Sequence, residues 1–157
     1  MLKIVTGESN PILRAISTPI KQSEYKKYSS LAKDMLRHIK DPENGGVWLA
    51  APQVGYNIRL IIVSLMKDRE DENFQTVIMF NPEILEHSTE TECDKEGCLS
   101  LPKKRGEVER WSEIKLRYFD ENWKEKKLIL KWLAARIVQH EVDHLDGVLF
   151  IDREIKK

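Results

Sequence analysis

The sequence predicts an α+β fold, with mixed or antiparallel sheets packed around a helix in the C-terminal half and a second helix near the N-terminus. Three observations predict it. Apolar residues recur at three- and four-residue steps over residues 24–40 and again over 133–146. A short run rich in β-branched residues, IRLIIVSL, occupies 58–65. Ile114, Leu116 and Tyr118 alternate strictly with Lys115 and Arg117. Strands fill the middle of the chain and helices its ends.

In chain order, residues 1–22 read as irregular, with Pro11 and Pro19 as breakers. The helix over 24–40 sets Tyr28, Leu31, Met35 and Ile39 on an inner face and leaves Lys26, Lys33, Asp34 and Arg37 for water. Asp41-Pro42 followed by Asn44-Gly45-Gly46 ends it. Residues 58–65 are apolar enough for a buried strand. Residues 66–73 form a charged turn, and 74–80 return as a strand that stops near Asn81-Pro82. After the 114–118 strand, Asp120–Asn122 turn the chain and Lys127–Leu130 pair back as its hairpin partner. The last helix, 133–146, carries Leu133, Ile137, His140 and His144 along one face, with Gly147 as its stop.

The chain has 157 residues, the size of one ordinary domain, and residues 1–157 read as a single unit without repeats or a linker. Lys+Arg and Asp+Glu are equal at 26 each, so no net basic charge argues for a nucleic-acid partner. No apolar run has the length of a signal peptide or a membrane span, which points to a cytoplasmic protein with no membrane association. The two cysteines, Cys93 and Cys98, lie too close together to build a disulfide framework.

The strongest local signal is His140-Glu141-Val142-Asp143-His144, an H-E-x-x-H pattern on a predicted helix. Residues four apart share a helix face, so both imidazoles can reach one metal ion. Glu141 lies about 100° around the helix from His140. It flanks the metal without ligating it and can take the proton of a water whose pKa the metal lowers toward ~7. The motif is short, and a surface helix with fitting charges would also match it. The chain has four histidines, and two fall in this motif on an apolar face, while His38 and His87 read as surface residues. A catalytic site of this kind takes three protein ligands. Downstream of His144 the only glutamate is Glu154, in a polar tail, and Phe150 stands where a metzincin would have its last histidine. An upstream cysteine is therefore the natural third ligand.

Three segments resemble the signature motifs of the peptide deformylase family, in the family's order. They are Gly46-Val47-Trp48-Leu49-Ala50-Ala51-Pro52-Gln53, Glu96-Gly97-Cys98-Leu99-Ser100 and Gln139-His140-Glu141-Val142-Asp143-His144. Asn10-Pro11-Ile12-Leu13-Arg14 extends the resemblance to nearly the whole chain. It implies an enzyme that removes the formyl group from N-formylmethionyl nascent peptides during protein biosynthesis, releasing formate. Cys98, His140 and His144 would hold one divalent metal, Fe²⁺ first, with Zn²⁺, Ni²⁺ or Co²⁺ as alternatives. Glu141 would be the general acid/base. The Gln53 side-chain amide and the backbone N–H of Leu99 would hold the developing oxyanion. Glu96 would support the site, Arg136 would either join it or form a surface ion pair, and Cys93 would be structural. Val47, Leu133 and Ile137 are candidates for a methionine pocket, and Gly46 and Arg105 for peptide-backbone contacts. The ribosome would be a transient partner, without the C-terminal helix that some family members use. Two other readings stay open: a metalloprotease using the same H-E-x-x-H logic, and a metal-binding homologue with turnover reduced by Trp48.

That last reading arises from a departure. Trp48 stands where the family's first motif has its second glycine, and glycine belongs where backbone closely approaches a ligand or takes φ > 0. Trp123 ends an Asp-Glu-Asn-Trp turn in which a type I′ hairpin would want Asn-Gly. Trp132 precedes the last helix where the family tends to have glycine. Only Trp111, at the start of an alternating strand, suits an aromatic. Some bacterial lineages read UGA as glycine, and a translation taking UGA as tryptophan would leave this pattern.

Overall fold

A computed structural model describes residues 2–44 and 46–156. The expected stop at Asn44-Gly45-Gly46 therefore falls partly outside the described residues. The order of elements is α1 (Pro11–Arg14), α2 (Ser29–Lys40), β1 (Trp48–Ala50), β2 (Leu60–Leu65), β3 (Gln75–His87), β4 (Thr91–Cys98), β5 (Leu101–Trp111), β6 (Glu113–Phe119), β7 (Glu125–Lys131) and α3 (Trp132–Leu145). Five strands form one antiparallel sheet in the order β1-β2-β3-β6-β7, and β4 and β5 form a separate two-stranded sheet. This is the α+β class that the periodicities predict.

Strand β2 explains why 58–65 is apolar without alternation. Ile61 and Val63 face a core shared with Ala135, Ile137, Val138 and Leu145 of α3. Leu60 and Ile62 face a second core under Met35 and Ile39 of α2. A strand covered on both faces has no wet side to mark with polar residues. In β6, by contrast, Ile114, Leu116 and Tyr118 enter the α3 core while Lys115 and Arg117 stay partly exposed. A third small cluster of Leu13, Leu101, Val108, Leu149 and Phe150 joins the N-terminal turn, β5 and the tail.

Four expectations are corrected. Residues 25–28 form a 3-10 turn, so the α-helix proper begins at Ser29. Strand β3 does not stop at Asn81-Pro82 but runs on to His87. Its pairing with β6 shifts register between Phe80 and Glu83, and Asn81 takes φ 50. A bulge is where a strand tolerates proline, because no ladder N–H is required there. The Asn81 side chain is occupied as well, exchanging hydrogen bonds with the backbone of Ile20 at 2.9 and 2.7 Å. The β6–β7 hairpin is not of type I′: Trp123 takes φ 60 while Asn122 is not among the positive-φ residues. The expectation for 1–22 also missed one helical turn, α1, whose start is capped by the Asn10 carboxamide accepting from the Ile12 N–H at 3.0 Å.

Among the described residues no helix is long and apolar enough to cross a membrane.

Candidate active site

Helix α3 supplies the centre of the site. Its residues from Ala134 to Leu145 are all buried, so its imidazoles and carboxylates lie within the molecule, between the large sheet and the β4–β5 hairpin. One helical turn brings His140 and His144 together with ring centroids 5.1 Å apart. The hairpin brings Cys98, at the end of β4, to them from the opposite side. Cys98 Sγ lies 3.4 Å from His144 Nε2. One ligand atom from each of Cys98, His140 and His144 lies within 4.8 Å of the others. Tetrahedral coordination at ordinary metal–nitrogen and metal–sulfur lengths would set nitrogen and sulfur about 3.5 Å apart. The donor set and its spacing therefore fit a metal of the Fe²⁺/Zn²⁺ type.

Glu96 orders this group. Its Oε1 accepts from His140 Nδ1 at 2.8 Å and from Arg110 Nη2 at 2.9 Å. Its Oε2 accepts from Arg110 Nε at 2.9 Å and Arg136 Nη1 at 2.6 Å. Burial works against its charge, but these donors outweigh it and hold the carboxyl well below the usual carboxylate range. Fixing Nδ1 as the donor turns Nε2 of His140 toward the sulfur. Arg136 is thus a buried partner of Glu96, not a surface ion pair. Arg110 extends the network by donating to Asp143 at 2.6 Å, and Arg153 clasps the same carboxylate at 2.7 and 3.0 Å.

Glu141 is different. It is fully buried, and neither carboxylate oxygen has a hydrogen-bond partner. Burial pushes its pKa up to about 7, against the pull of His140 nearby. An unpartnered buried carboxyl is costly unless something is meant to meet it. His144 Nδ1 is likewise buried without a partner, and burial followed by His140 lowers the pKa of this imidazole. For His140 burial opposes protonation, yet the Cys98 and Glu96 contacts win and raise it to about 10.

Gln53 is buried in the 3-10 turn after β1. Its Oε1 accepts from the Ala50 N–H at 2.9 Å, which turns Nε2 toward Cys98 Sγ at 3.4 Å and Ser100 Oγ at 3.2 Å. A groove of about 390 Å³ opens onto this cluster. Gly46, Gln53, Cys98, Leu99, Arg105, Leu133, Ile137, His140 and Glu141 all line it, so most of the sequence-predicted residues share one surface. Val47 is not among the lining residues, whereas its neighbour Trp48 is. Cys93, expected to be structural, is exposed on β4, and His87 is exposed as expected.

The sequence reading missed Arg110, Asp143 and Arg153. Arg110 hid in a strand of mostly charged letters. Asp143 was visible as an unspecified position of H-E-x-x-H, but only the folded hairpin shows what it pairs with.

Comparison with known proteins agrees with this geometry. The family model described as Polypeptide deformylase matches residues 1–157. The peptide deformylase of Chlorobium phaeobacteroides is 40% identical over 153 residues, covering 98% of this chain and 80% of that protein. That of Dictyoglomus thermophilum is 40% identical over 157 residues, covering 100% and 95%. The crystal structure of peptide deformylase from Thermotoga maritima aligns with a TM-score of 0.85 at 38% identity, covering 99% of both chains. A Met-Ala-Ser-bound class I type b enzyme from Acinetobacter baumannii aligns with a TM-score of 0.85 at 37% identity, covering 98% of both chains. The chain belongs to the polypeptide deformylase family, metal-dependent hydrolases, and it removes the N-formyl group from the formyl-methionine of nascent polypeptides.

Proposed function

We propose that Cys98 Sγ, His140 Nε2 and His144 Nε2 hold one divalent ion, Fe²⁺ in the cell, and that Glu141 is the proton carrier for deformylation. The observation that carries this reading is a convergence. Three ligand atoms lie within 4.8 Å of one another, beside a buried carboxylate with no hydrogen-bond partner, and Cys98, His140 and that carboxylate line one groove. The ion would supply Lewis acidity and an activated water at neutral pH.

The chain's own residues do the rest. Glu141 takes the proton of the attacking water and delivers it to the amine nitrogen as the C–N bond breaks, which frees the peptide and formate. A carboxyl raised toward neutral pH is suited to both halves of that task. Gln53, anchored by its Oε1, donates from Nε2 to the oxygen that gains charge, together with the backbone N–H of Leu99. Glu96 holds His140 in the tautomer that leaves Nε2 free. Leu133 and Ile137 offer an apolar wall for the methionine side chain, while Gly46 and Arg105 lie where the peptide backbone would pass. The A. baumannii relative bound to Met-Ala-Ser supports a peptide in the corresponding groove. Transient contact with the ribosome would deliver the nascent chain.

The test is formate release from formyl-Met-Ala by protein loaded anaerobically with Fe²⁺, with the unformylated peptide as control. Cys98→Ser should abolish both stoichiometric metal binding and turnover. A variant that kept both would overturn the ligand set.

A further inference from the structure

Two of the four tryptophans occupy places where the backbone favours glycine, and a third lines the groove. Trp123 and Trp132 take φ 60 and 55, in the left-handed region. A β-carbon there meets the following carbonyl, at a cost that glycine escapes and asparagine, as at Asn81, tolerates; Lys103 is the other described residue of this chain that bears it. The two positions are held left-handed by their surroundings. In the β6–β7 hairpin, the Trp123 N–H donates to Asp120 O at 2.9 Å, and the Asp120 N–H donates to Lys124 O at 2.9 Å. That pattern is a type I turn followed by a left-handed residue, the hairpin bulge whose standard occupant is glycine. At the junction of β7 with α3, Lys131 is extended at φ −129, and Trp132 turns the chain into the helix while its N–H donates to Ser112 O at 2.8 Å. The Trp132 ring finds little burial in return, being 50% exposed.

Trp48 is a different case with the same outcome. It sits in regular β1, paired with Val63, and its backbone is unstrained. Its side chain lines the groove beside Leu133, Ile137, His140 and Glu141. It therefore fills space next to the proposed metal-binding residues, where a substrate backbone must pass. Trp111, the fourth, lies in extended β5 and stacks on His87 with centroids 3.6 Å apart, as an aromatic on a strand should.

We propose that positions 48, 123 and 132 are glycine in the protein its own cell makes, from UGA codons read as glycine, and that position 48 sets substrate access to the groove. The arguments at 123 and 132 are conformational and independent of the deformylase reading, while that at 48 rests on it. Trp123 shows what opposes the proposal: its ring stacks on Phe119 and Tyr25 at 4.7 and 5.1 Å. An indole placed there finds aromatic neighbours, but the turn still has to bend through a conformation that a tryptophan resists.

The decisive experiment reads the gene and the native protein together. UGA at codons 48, 123 and 132, UGG at codon 111, and glycine in the corresponding peptides by mass spectrometry are the expected result. UGG at any of the three, or tryptophan in any native peptide covering them, overturns the proposal. Variants of the tryptophan form give a second readout. Relief of one left-handed strain in Trp132→Gly should raise the melting temperature by roughly 2–4 °C. An unchanged or lower value would overturn the conformational argument. Trp48→Gly should raise kcat/KM on formyl-Met-Ala by on the order of ten-fold or more, as blocked positioning is released. Loss of activity in that variant, with UGA absent from codon 48, would mark the tryptophan as a genuine part of the groove.

Discussion

Glu141 carries the largest consequence of any single side chain. Replacing it by glutamine keeps the shape of the buried site but removes the proton acceptor. Turnover should fall by about 10²–10⁴-fold, while metal content measured by atomic spectroscopy stays stoichiometric. The same residue makes a pH prediction for the metal-free protein. Its folded pKa of about 7 exceeds the ordinary value of 4.5, so the folded state binds this proton more tightly than the unfolded chain. Its contribution to stability is complete below about pH 4.5 and is lost as pH rises through about 7. A bound cation pulls the pKa back down, so loading should flatten this part of the stability curve, as denaturant titrations at several pH values would show. Glu96 acts through its neighbours instead. Glu96→Ala leaves Arg110 and Arg136 charged, buried and short of a partner, an arrangement that costs roughly 3–5 kcal/mol. It also frees His140 to turn, which should weaken metal affinity by about 10–100-fold. Glu96→Gln separates the two effects, since it keeps an acceptor for the arginines while losing the charge.

Each element of the large sheet depends on the face it buries. Leu116 of β6 is fully buried in the core shared with α3. Leu116→Ala should therefore cost about 2–5 kcal/mol, more than any truncation on the wet side of the same strand, and differential scanning calorimetry measures it. Elements with strong periodicity were legible in the sequence for this reason. The helix α3, the doubly covered β2 and the alternating β6 each carry the imprint of what lies against them. The β4–β5 hairpin was not legible. Its letters are largely charged because most of both strands stays in water, and the few inward residues, Glu96, Val108 and Arg110, do not repeat with a period that stands out. Strand β3 was cut short at Asn81-Pro82 because a proline normally ends a strand, and only the neighbouring Ile20 segment reveals the bulge that accommodates it. The site followed the same division. His140, Glu141 and His144 could be grouped by helix geometry alone, whereas Cys98 and Gln53 reached them through resemblance. The partners Arg110, Asp143 and Arg153 needed the tertiary structure.

At the scale of the molecule, chain segments far apart in sequence are tied around α3. Arg14 pairs with Asp152 at 2.5 Å and donates to Gly147 O at 3.2 Å. Gly147, at φ 73, leaves no room for a β-carbon against the Arg14 carbonyl. Gly147→Ala should consequently loosen both the N-terminal turn and the tail, lowering the melting temperature by several degrees at about 2–4 °C per kcal/mol. We read residues 1–157 as one cooperative unit, so circular dichroism and tryptophan fluorescence should report the same transition. Chelation should shift that transition as a whole. A metal present at about a thousand times its dissociation constant contributes roughly 4 kcal/mol to the folded state, and its removal should lower the midpoint accordingly.

The approach of Cys98 to the helix from a separate two-stranded sheet has a mechanical consequence. An ion shared by that sulfur and the two imidazoles would be a rivet joining two pieces of the fold, beside the Glu96 network, the Arg110–Asp143 pair and the hydrogen bonds of Gln139 with the Trp111 backbone. Amide protons of β4 and β5 should then exchange with solvent markedly faster after the ion is withdrawn, while those of β2 keep their pace.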